Sequence, residues 1–267
     1  MNPVHIVLLF ILGIVAGFQN VMAGGGSLLT LPLLIFMLES NPAYTASASL
    51  IANGTNRVAI LSQNIFAVFG FRKKGESNFK MSLKLAAFTL PGAILGAFYA
   101  SRIDTASFKK ILGFVVIAVV LIMTQKKRIT RAAVAKPYPK LGYPAMFGIG
   151  FYGGFIQAGV GLLLIVIIHG LMSQNLIKTN VHKVFIVMIY TVPALIVFSV
   201  AGNVIWWIGL VLAAGNSLGA WLGTHFAVKK GEKFIRIVLL SAMLVMAIRL
   251  LQLDLKLFSV IKDLHWW

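Results

Sequence analysis

Apolar residues run along this chain in long blocks that short polar or basic stretches separate. Blocks of roughly 20 apolar residues are typical of transmembrane helices. The pattern predicts five segments in each half of the chain, and therefore an all-α polytopic membrane protein. The predicted segments are 4–22, 26–38, 44–70, 80–101 and 107–124 in the first half, and 142–158, 160–171, 176–200, 204–226 and 233–250 in the second.

Two of these segments are too short to cross a bilayer. A helix rises about 1.5 Å per residue, so 26–38 and 160–171 reach only about 20 Å, against about 30 Å of hydrocarbon. Each follows a glycine cluster that joins it to the segment before it. Non-helical backbone is tolerated at membrane depth only inside protein or beside a cavity. We therefore predict two Gly-hinged helical hairpins, either broken or re-entrant.

The two halves also resemble each other in sequence. The run Ala23-Gly24-Gly25-Gly26 matches Ala158-Gly159-Val160-Gly161, and later glycines align as well. Because each half makes an odd number of net crossings, we predict two inverted five-segment repeats. Such repeats are typical of alternating-access transporters, although a duplication kept only for packing is the alternative. The predicted organisation is a first repeat over 1–124, a basic cytoplasmic linker over 125–141, a second repeat over 142–250 and a C-terminal tail over 251–267.

Charge adds an orientation to this picture. The 267 residues include 24 Lys and Arg but only six Asp and Glu, for a net charge of +18. In a soluble protein this balance would suggest nucleic acid, but in a polytopic membrane protein basic residues concentrate in cytoplasmic loops. Most of them fall on the side of 71–84, 125–140 and 227–236. We expect no nucleic-acid partner, and both termini on the extracytoplasmic side.

Arg57 is the first candidate for chemistry, because it lies deep inside the third segment. A charge at that depth costs at least about 2.5–3.5 kcal/mol, so an intramembrane Arg is a functional candidate. Helical spacing places Asn53, Arg57 and Asn64 on one face, with Asn56 and Gln63 beside them. This polar stripe is typical of a helix that faces a cavity. The alternative is an Arg that donates hydrogen bonds to the carbonyls of a broken helix.

Lys183 occupies nearly the same place in the second half, and His182 precedes it. Thr179 and Tyr190 share its helical face. Lys183 is a second candidate for binding an anion. It is close enough to the end of its segment that its ammonium could instead reach the membrane interface.

The glycine-rich hinges are the third candidate. Each short arm is predicted to begin directly after glycine, at Ser27 and at Leu162. A helix N-terminus presents unpaired N–H groups and the positive end of its dipole, which suit an anion. Close helix packing is the alternative role, and it is the one we assign to Gly13/Gly17, Gly92/Gly96 and Gly215/Gly219/Gly223. The hinge residues predicted to bind substrate are Gly24, Gly25, Gly26, Ser27, Gln157, Gly159 and Gly161.

The order of these motifs resembles the TauE/SafE sulfite exporter family. Besides the two hinges, the resemblance rests on Gly54-Thr55-Asn56-Arg57 and on Leu90-Pro91-Gly92-Ala93-Ile94-Leu95-Gly96, and it covers about 10–250. It implies an exporter of sulfite, or of an organosulfonate such as sulfoacetate, in the bacterial inner membrane. The second hinge departs from the glycine triplet, because Val160 replaces the middle glycine.

The acidic residues bear on the mechanism. All six fall at segment ends, in loops or in the tail. Proton- or sodium-coupled carriers commonly use a buried carboxylate, whereas a negative cell interior expels an anion by about 2.3 kcal/mol per charge per 100 mV. We therefore expect potential-driven export of a small anion, although His182 or His225 could still carry a proton. We expect no cofactor, and the scattered histidines and acids predict no metal site. A carboxylate or thiosulfate is the alternative substrate, and the oligomeric state is open.

Two other classes of protein compete with a transporter. An intramembrane enzyme would need a clustered acid, base or metal at depth, and the sequence does not predict one. A membrane scaffold that transports nothing would need neither inverted repeats nor a buried Arg.

Overall fold

The computed structural model describes residues 3–22, 24–73, 79–118, 139–172 and 176–226. They form helices without any strand in those ranges, so the all-α prediction is confirmed. The tenth predicted segment, most of the basic linker and the C-terminal tail lie outside the described residues. The helices are α1 (Pro3–Met22), α2 (Ser27–Glu39), α3 (Ala48–Arg72), α4 (Phe79–Ala100), α5 (105–118), α6 (Pro139–Phe155), α7 (Val160–Ile165), α8 (Leu176–Val200) and α9 (Trp206–Phe226).

The second hinge differs from its predicted form. Helix α7 begins at Val160 rather than at Leu162, and a π-helical stretch, Val166–Leu171, continues it. The reason is Gly159, whose φ of 74° places it in the left-handed region that favours glycine. The chain therefore turns before Val160, and Gly161 lies inside the helix. The first short arm begins at Ser27, as predicted.

The surface of the helix bundle is apolar. Two helices, Phe79–Ala100 and Ile177–Val200, are long and apolar enough to cross a membrane by length and composition. Large apolar side chains also face outward from several helices, including Phe114, which is 67% exposed, and Leu210, which is 60% exposed. Contiguous exposed apolar surface marks contact with a membrane or another protein. This is the kind of surface that the predicted transmembrane segments require.

Glycines hold neighbouring helices at close range. A Cβ on Gly17 would lie 2.0 Å from the Asn216 carbonyl oxygen, and one on Gly219 would lie 2.0 Å from the Ile14 oxygen, so α1 packs directly on α9. Helices α4 and α6 make the same kind of contact through Gly92 and Gly96. The packing role predicted for these glycines is confirmed, and it follows the small-residue rule of membrane helices.

Two glycines of α6 give a matched pair of variants. Gly154→Ala is expected to lower the thermal unfolding midpoint in detergent by several degrees, because its Cβ would lie 2.0 Å from the Ala93 oxygen. A Cβ on Gly148 would have no neighbour within 4 Å, and alanine is a better helix former than glycine. The unfolding midpoint of Gly148→Ala should therefore stay level or rise. Equal midpoints would contradict the close α4–α6 contact.

The direction of each helix follows from its neighbours. Gly54 lies against Asn203, just before α9 begins, and Gly70 lies against Thr224 near the end of α9, so α3 and α9 run in parallel. Helix α1 runs in the same direction, because Gly13 lies against Leu212 of α9 and Gly17 lies against Asn216, further along α9.

Helices α4, α6 and α8 run together, since Gly150 and Gly154 lie against residues of rising number in α4, and the starts of α4 and α8 are joined by a hydrogen bond. This set runs opposite to α3, because Gly54 near the start of α3 lies against Phe198 near the end of α8, and Phe71 near its end clusters with Val181 near the start of α8.

Each short arm forms a hairpin with the helix before it. The first hairpin (α1 and α2) returns to the end where it entered, since Glu39 at its close pairs with Lys109 in α5 at 2.6 Å. The second hairpin (α6 and α7) returns to the opposite end, where Met172 lies beside Gly142. The turns of the two hairpins meet inside the bundle, and a Cβ on Gly24 would lie 2.6 Å from the Gly161 backbone.

The described charges separate towards the two ends of the bundle. One end carries Arg72, Lys73, Lys80, Lys84 and Lys178, and the other carries Arg102, Lys109 and Lys110 with Glu39 and Asp104. The Asp104 side chain accepts a hydrogen bond from the Ser107 amide at 2.8 Å, and hydrogen bonding by Ser107 lowers the pKa of that carboxyl. The more basic end is the one predicted to face the cytoplasm.

Candidate functional site

The Lys183 ammonium, from the second half of the chain, lies at the C-terminal end of α1 in the first half. Its Nζ donates to the backbone oxygens of Asn20 at 2.9 Å and Val21 at 3.1 Å, and to Asn180 Oδ1 at 2.7 Å. Lys183 is only 2% exposed, so its side chain lies inside the helix bundle. The last carbonyls of a helix lack internal partners and carry the negative end of the dipole. Lys183 therefore caps the C-terminus of α1.

Arg57 makes the corresponding contact with the second hairpin. Its Nη1 donates to the Gly153 oxygen at 3.3 Å and its Nη2 to the Gly154 oxygen, near the end of α6. The guanidinium lies over the Phe198 ring at 4.6 Å, and the side chain is fully buried. Asn53 adds a hydrogen bond of 2.7 Å to the Phe155 oxygen. Arg57 thus adopts the alternative arrangement anticipated above, bonded to the carbonyls of an interrupted helix.

The two cations are arranged reciprocally. Lys183 belongs to α8 and holds the end of α1, whereas Arg57 belongs to α3 and holds the end of α6. Each half of the chain thereby supplies the charge that stabilises the interrupted helix of the other half. The contact also fixes the position of each turn, because the bonded carbonyls immediately precede it.

A small polar cavity of about 20 Å³ lies between the turns of the two hairpins. That volume is enough for about one water molecule. The cavity is lined by Asn20, Ser27, Ile60, Gln63, Asn64, Gln157, Val160, Gly161, Lys183 and Val187.

Four of the predicted binding residues line this cavity: Ser27, Gln157, Gly161 and Lys183. Arg57 and Asn53 hold the end of α6 instead, and Asn56 accepts a hydrogen bond of 2.8 Å from Thr30 in α2. His182 pairs with Ser82 at 2.7 Å and is not among the residues that line this cavity. The remaining predicted residues, Gly24, Gly25, Gly26 and Gly159, shape the turns without lining the cavity.

The first turn is closed by a residue that the sequence analysis did not select. Asn20 Oδ1 accepts hydrogen bonds from the backbone N–H groups of Gly25 at 3.1 Å and Gly26 at 2.6 Å. Its Nδ2 donates to Gln63 Oε1 at 3.1 Å. The signal that could have found Asn20 is an amide near the end of an otherwise apolar segment, four residues before the glycine run.

Gln157 stands at the second turn in an unusual conformation. Its φ of 65° makes it the one non-glycine residue with positive φ in the described part of the chain. Such backbone strain costs about 1–3 kcal/mol and concentrates at functional sites. Its Nε2 donates to Thr191 at 3.2 Å, whereas its buried Oε1 has no hydrogen-bond partner. Gln157 therefore presents an unsatisfied polar atom beside the cavity.

The chain matches the family described as "Sulfite exporter TauE/SafE" over residues 9–250. This protein belongs to the TauE/SafE family. The resemblance drawn from the two hinges and the Arg57 motif is confirmed. No solved structure matches the chain.

Several relatives of this chain are named as probable membrane transporter proteins. A protein of a Sinorhizobium species named "Probable membrane transporter protein ORF9" is 30% identical, and the alignment covers 91% of each chain. A "Probable membrane transporter protein" of Haemophilus influenzae is also 30% identical, over 89% of this chain and 91% of the relative. "Probable membrane transporter protein YfcA" of Escherichia coli is 28% identical, over 94% and 91%. The chain is a membrane transporter of this family.

Proposed function

We propose that this transporter exports a small oxyanion, sulfite or an organosulfonate such as sulfoacetate, across the bacterial inner membrane by alternating access. The observation that carries the proposal is the buried Lys183 ammonium beside a small cavity with polar lining residues between two interrupted helices. Transporters bind substrate at the midplane with the N-termini of half-helices, and that arrangement suits an anion. The family description supplies the sulfite.

The two hairpins support alternating access through inverted repeats. They enter from opposite ends, and each is held by a cation of the other half. A movement that pulls one hairpin away from the cavity opens it to one side of the membrane, and the same movement of the other hairpin opens it to the other side. Reciprocal capping joins each hairpin to a helix of the other half, α6 to α3 and α1 to α8.

Flux measurements in liposomes test the proposal and its energy source. Purified full-length protein is expected to carry sulfite down an imposed membrane potential without any pH gradient, because a negative interior alone expels an anion. Rates at fixed potential with and without a pH gradient should be equal. Flux that requires the pH gradient and ignores potential would reject potential-driven export.

The same assay separates the alternative functions. A panel of sulfite, sulfoacetate, thiosulfate and simple carboxylates distinguishes the proposed substrates from other small anions. A scaffold that transports nothing would give no flux with any of them. Empty liposomes and liposomes with heat-denatured protein provide the controls for leakage.

A further inference from the structure

We propose that the Asn20 side chain is an internal ligand of the anion site, and that substrate binds by displacing it from the backbone of the first turn. This inference rests on the proposed transport of an oxyanion. Asn20 is then the residue that occupies the site when substrate is absent. Neither the family description nor the names of the relatives assign it a role.

The first argument is the chemistry of the contact. Two consecutive backbone N–H groups, of Gly25 and Gly26, converge on a single oxygen, Asn20 Oδ1. Successive amides that converge in this way form an anion-binding concavity, and this one stands at the start of the 13-residue helix α2. The amide oxygen of Asn20 therefore occupies the place of a substrate oxygen.

The second argument is an unsatisfied group in the same cavity. Gln157 is only 1% exposed and lines the cavity together with Asn20, and its Oε1 has no hydrogen-bond partner. A buried acceptor without a partner costs about 1–3 kcal/mol and calls for a donor, which a water or the O–H of a singly protonated oxyanion supplies. The cavity holds about one water in this form, so a ligand enters only when a lining side chain moves.

The third argument is that the Asn20 side chain can leave without moving its backbone. The backbone oxygen of Asn20 is held separately by Lys183 Nζ at 2.9 Å. Only the side-chain bonds to the first turn and to Gln63 must break, and Gln63 Oε1 keeps a second donor, Asn216 Nδ2, at 3.2 Å. A rotation of one side chain therefore exposes both N–H groups.

Competition favours the substrate when it is present. A charged oxygen accepts hydrogen bonds roughly twice as strongly as a neutral amide oxygen, so an oxyanion replaces Asn20 on the two N–H groups. When the anion leaves, Asn20 returns and prevents two buried N–H groups from remaining unpaired. An exporter must return empty to its starting form, and this exchange stabilises that empty state.

Binding of sulfite to purified full-length variants in detergent tests the inference. Asn20→Ala is expected to bind sulfite about tenfold more tightly, because the apparent dissociation constant no longer includes the cost of displacement. Asn20→Asp is expected to bind at least about tenfold more weakly, because a carboxylate holds the same N–H groups by charge-assisted bonds. Asn41→Ala, on an exposed loop, is the control and should match the wild type.

The outcomes separate this inference from the proposed function. Unchanged or weaker sulfite binding by Asn20→Ala overturns the internal ligand while leaving transport intact. If Asn20→Ala does not fold, Asn20→Asp decides, and wild-type affinity in that variant overturns the inference. Wild-type protein that neither binds nor carries any anion of the panel overturns the proposed function and the inference together.

Discussion

Lys183→Met is expected to abolish transport and to weaken sulfite binding by about 10–100-fold. Methionine has nearly the length of lysine, so the change removes the charge and leaves most of the volume. A hydrogen bond to a charged group is worth about 1.5–3 kcal/mol, and the Lys183 ammonium is the charged group that lines the cavity. The two backbone oxygens at the end of α1 would also lose a donor, so the thermal midpoint should fall. Liposome flux and sulfite titration measure the two effects.

Lys178→Met is the matched control for this experiment. Lys178 lies on the same helix and is exposed, whereas Lys183 is buried. Lys178→Met should keep wild-type sulfite binding, flux and thermal midpoint, because exposed charges contribute little to stability. Wild-type sulfite affinity in Lys183→Met would remove Lys183 from the substrate site, whatever its effect on stability.

Arg57→Ala is expected to lower transport by about 100-fold and to destabilise the protein. The carbonyls of Gly153 and Gly154 would be left buried without a donor, at about 1–3 kcal/mol each. The end of α6 would then shift, and the cavity beside it would lose its shape. Arg57→Lys should recover only part of the activity, because an ammonium is a compact charge without the planar fork that reaches both oxygens.

Comparing the transport rate with the sulfite affinity distinguishes a positioning role of Arg57 from direct binding of substrate by Arg57. If Arg57 holds α6 in place, the transport rate should fall more steeply than sulfite affinity, and the thermal midpoint should fall with it. Arg102→Ala serves as the control, because Arg102 is exposed at the end of the bundle and lies over Phe98 at 3.7 Å. Wild-type flux and stability in Arg57→Ala would contradict any role of Arg57 in holding α6.

Together these variants assign a different role to each of the three residues. Lys183 is expected to affect binding and transport alike, Arg57 mainly transport, and Asn20 binding in the opposite direction when it is truncated. A single loss of stability cannot produce all three patterns, since it would weaken binding in every variant. The set therefore distinguishes a substrate site from a buried polar network that only supports the fold.

The sequence determined the helices, the two short arms and the family. Apolar blocks of a given length leave few choices inside a bilayer, and glycine runs mark where a helix must break. It also identified Arg57 and Lys183, because a charge within an apolar block is costly enough to stand out. These properties are local, and each can be read from neighbouring residues.

The contacts of those charges, and the set of residues that line the cavity, depend on how the helices pack together. Arg57 reaches carbonyls 96 and 97 positions away, and Lys183 reaches carbonyls 163 and 162 positions away, so no local pattern encodes either bond. The sequence pattern does not single out Asn20, because a neutral amide disturbs an apolar block far less than a charge does. Its role depends on a turn that places two N–H groups against its own side chain, and that geometry exists only once both hairpins are packed.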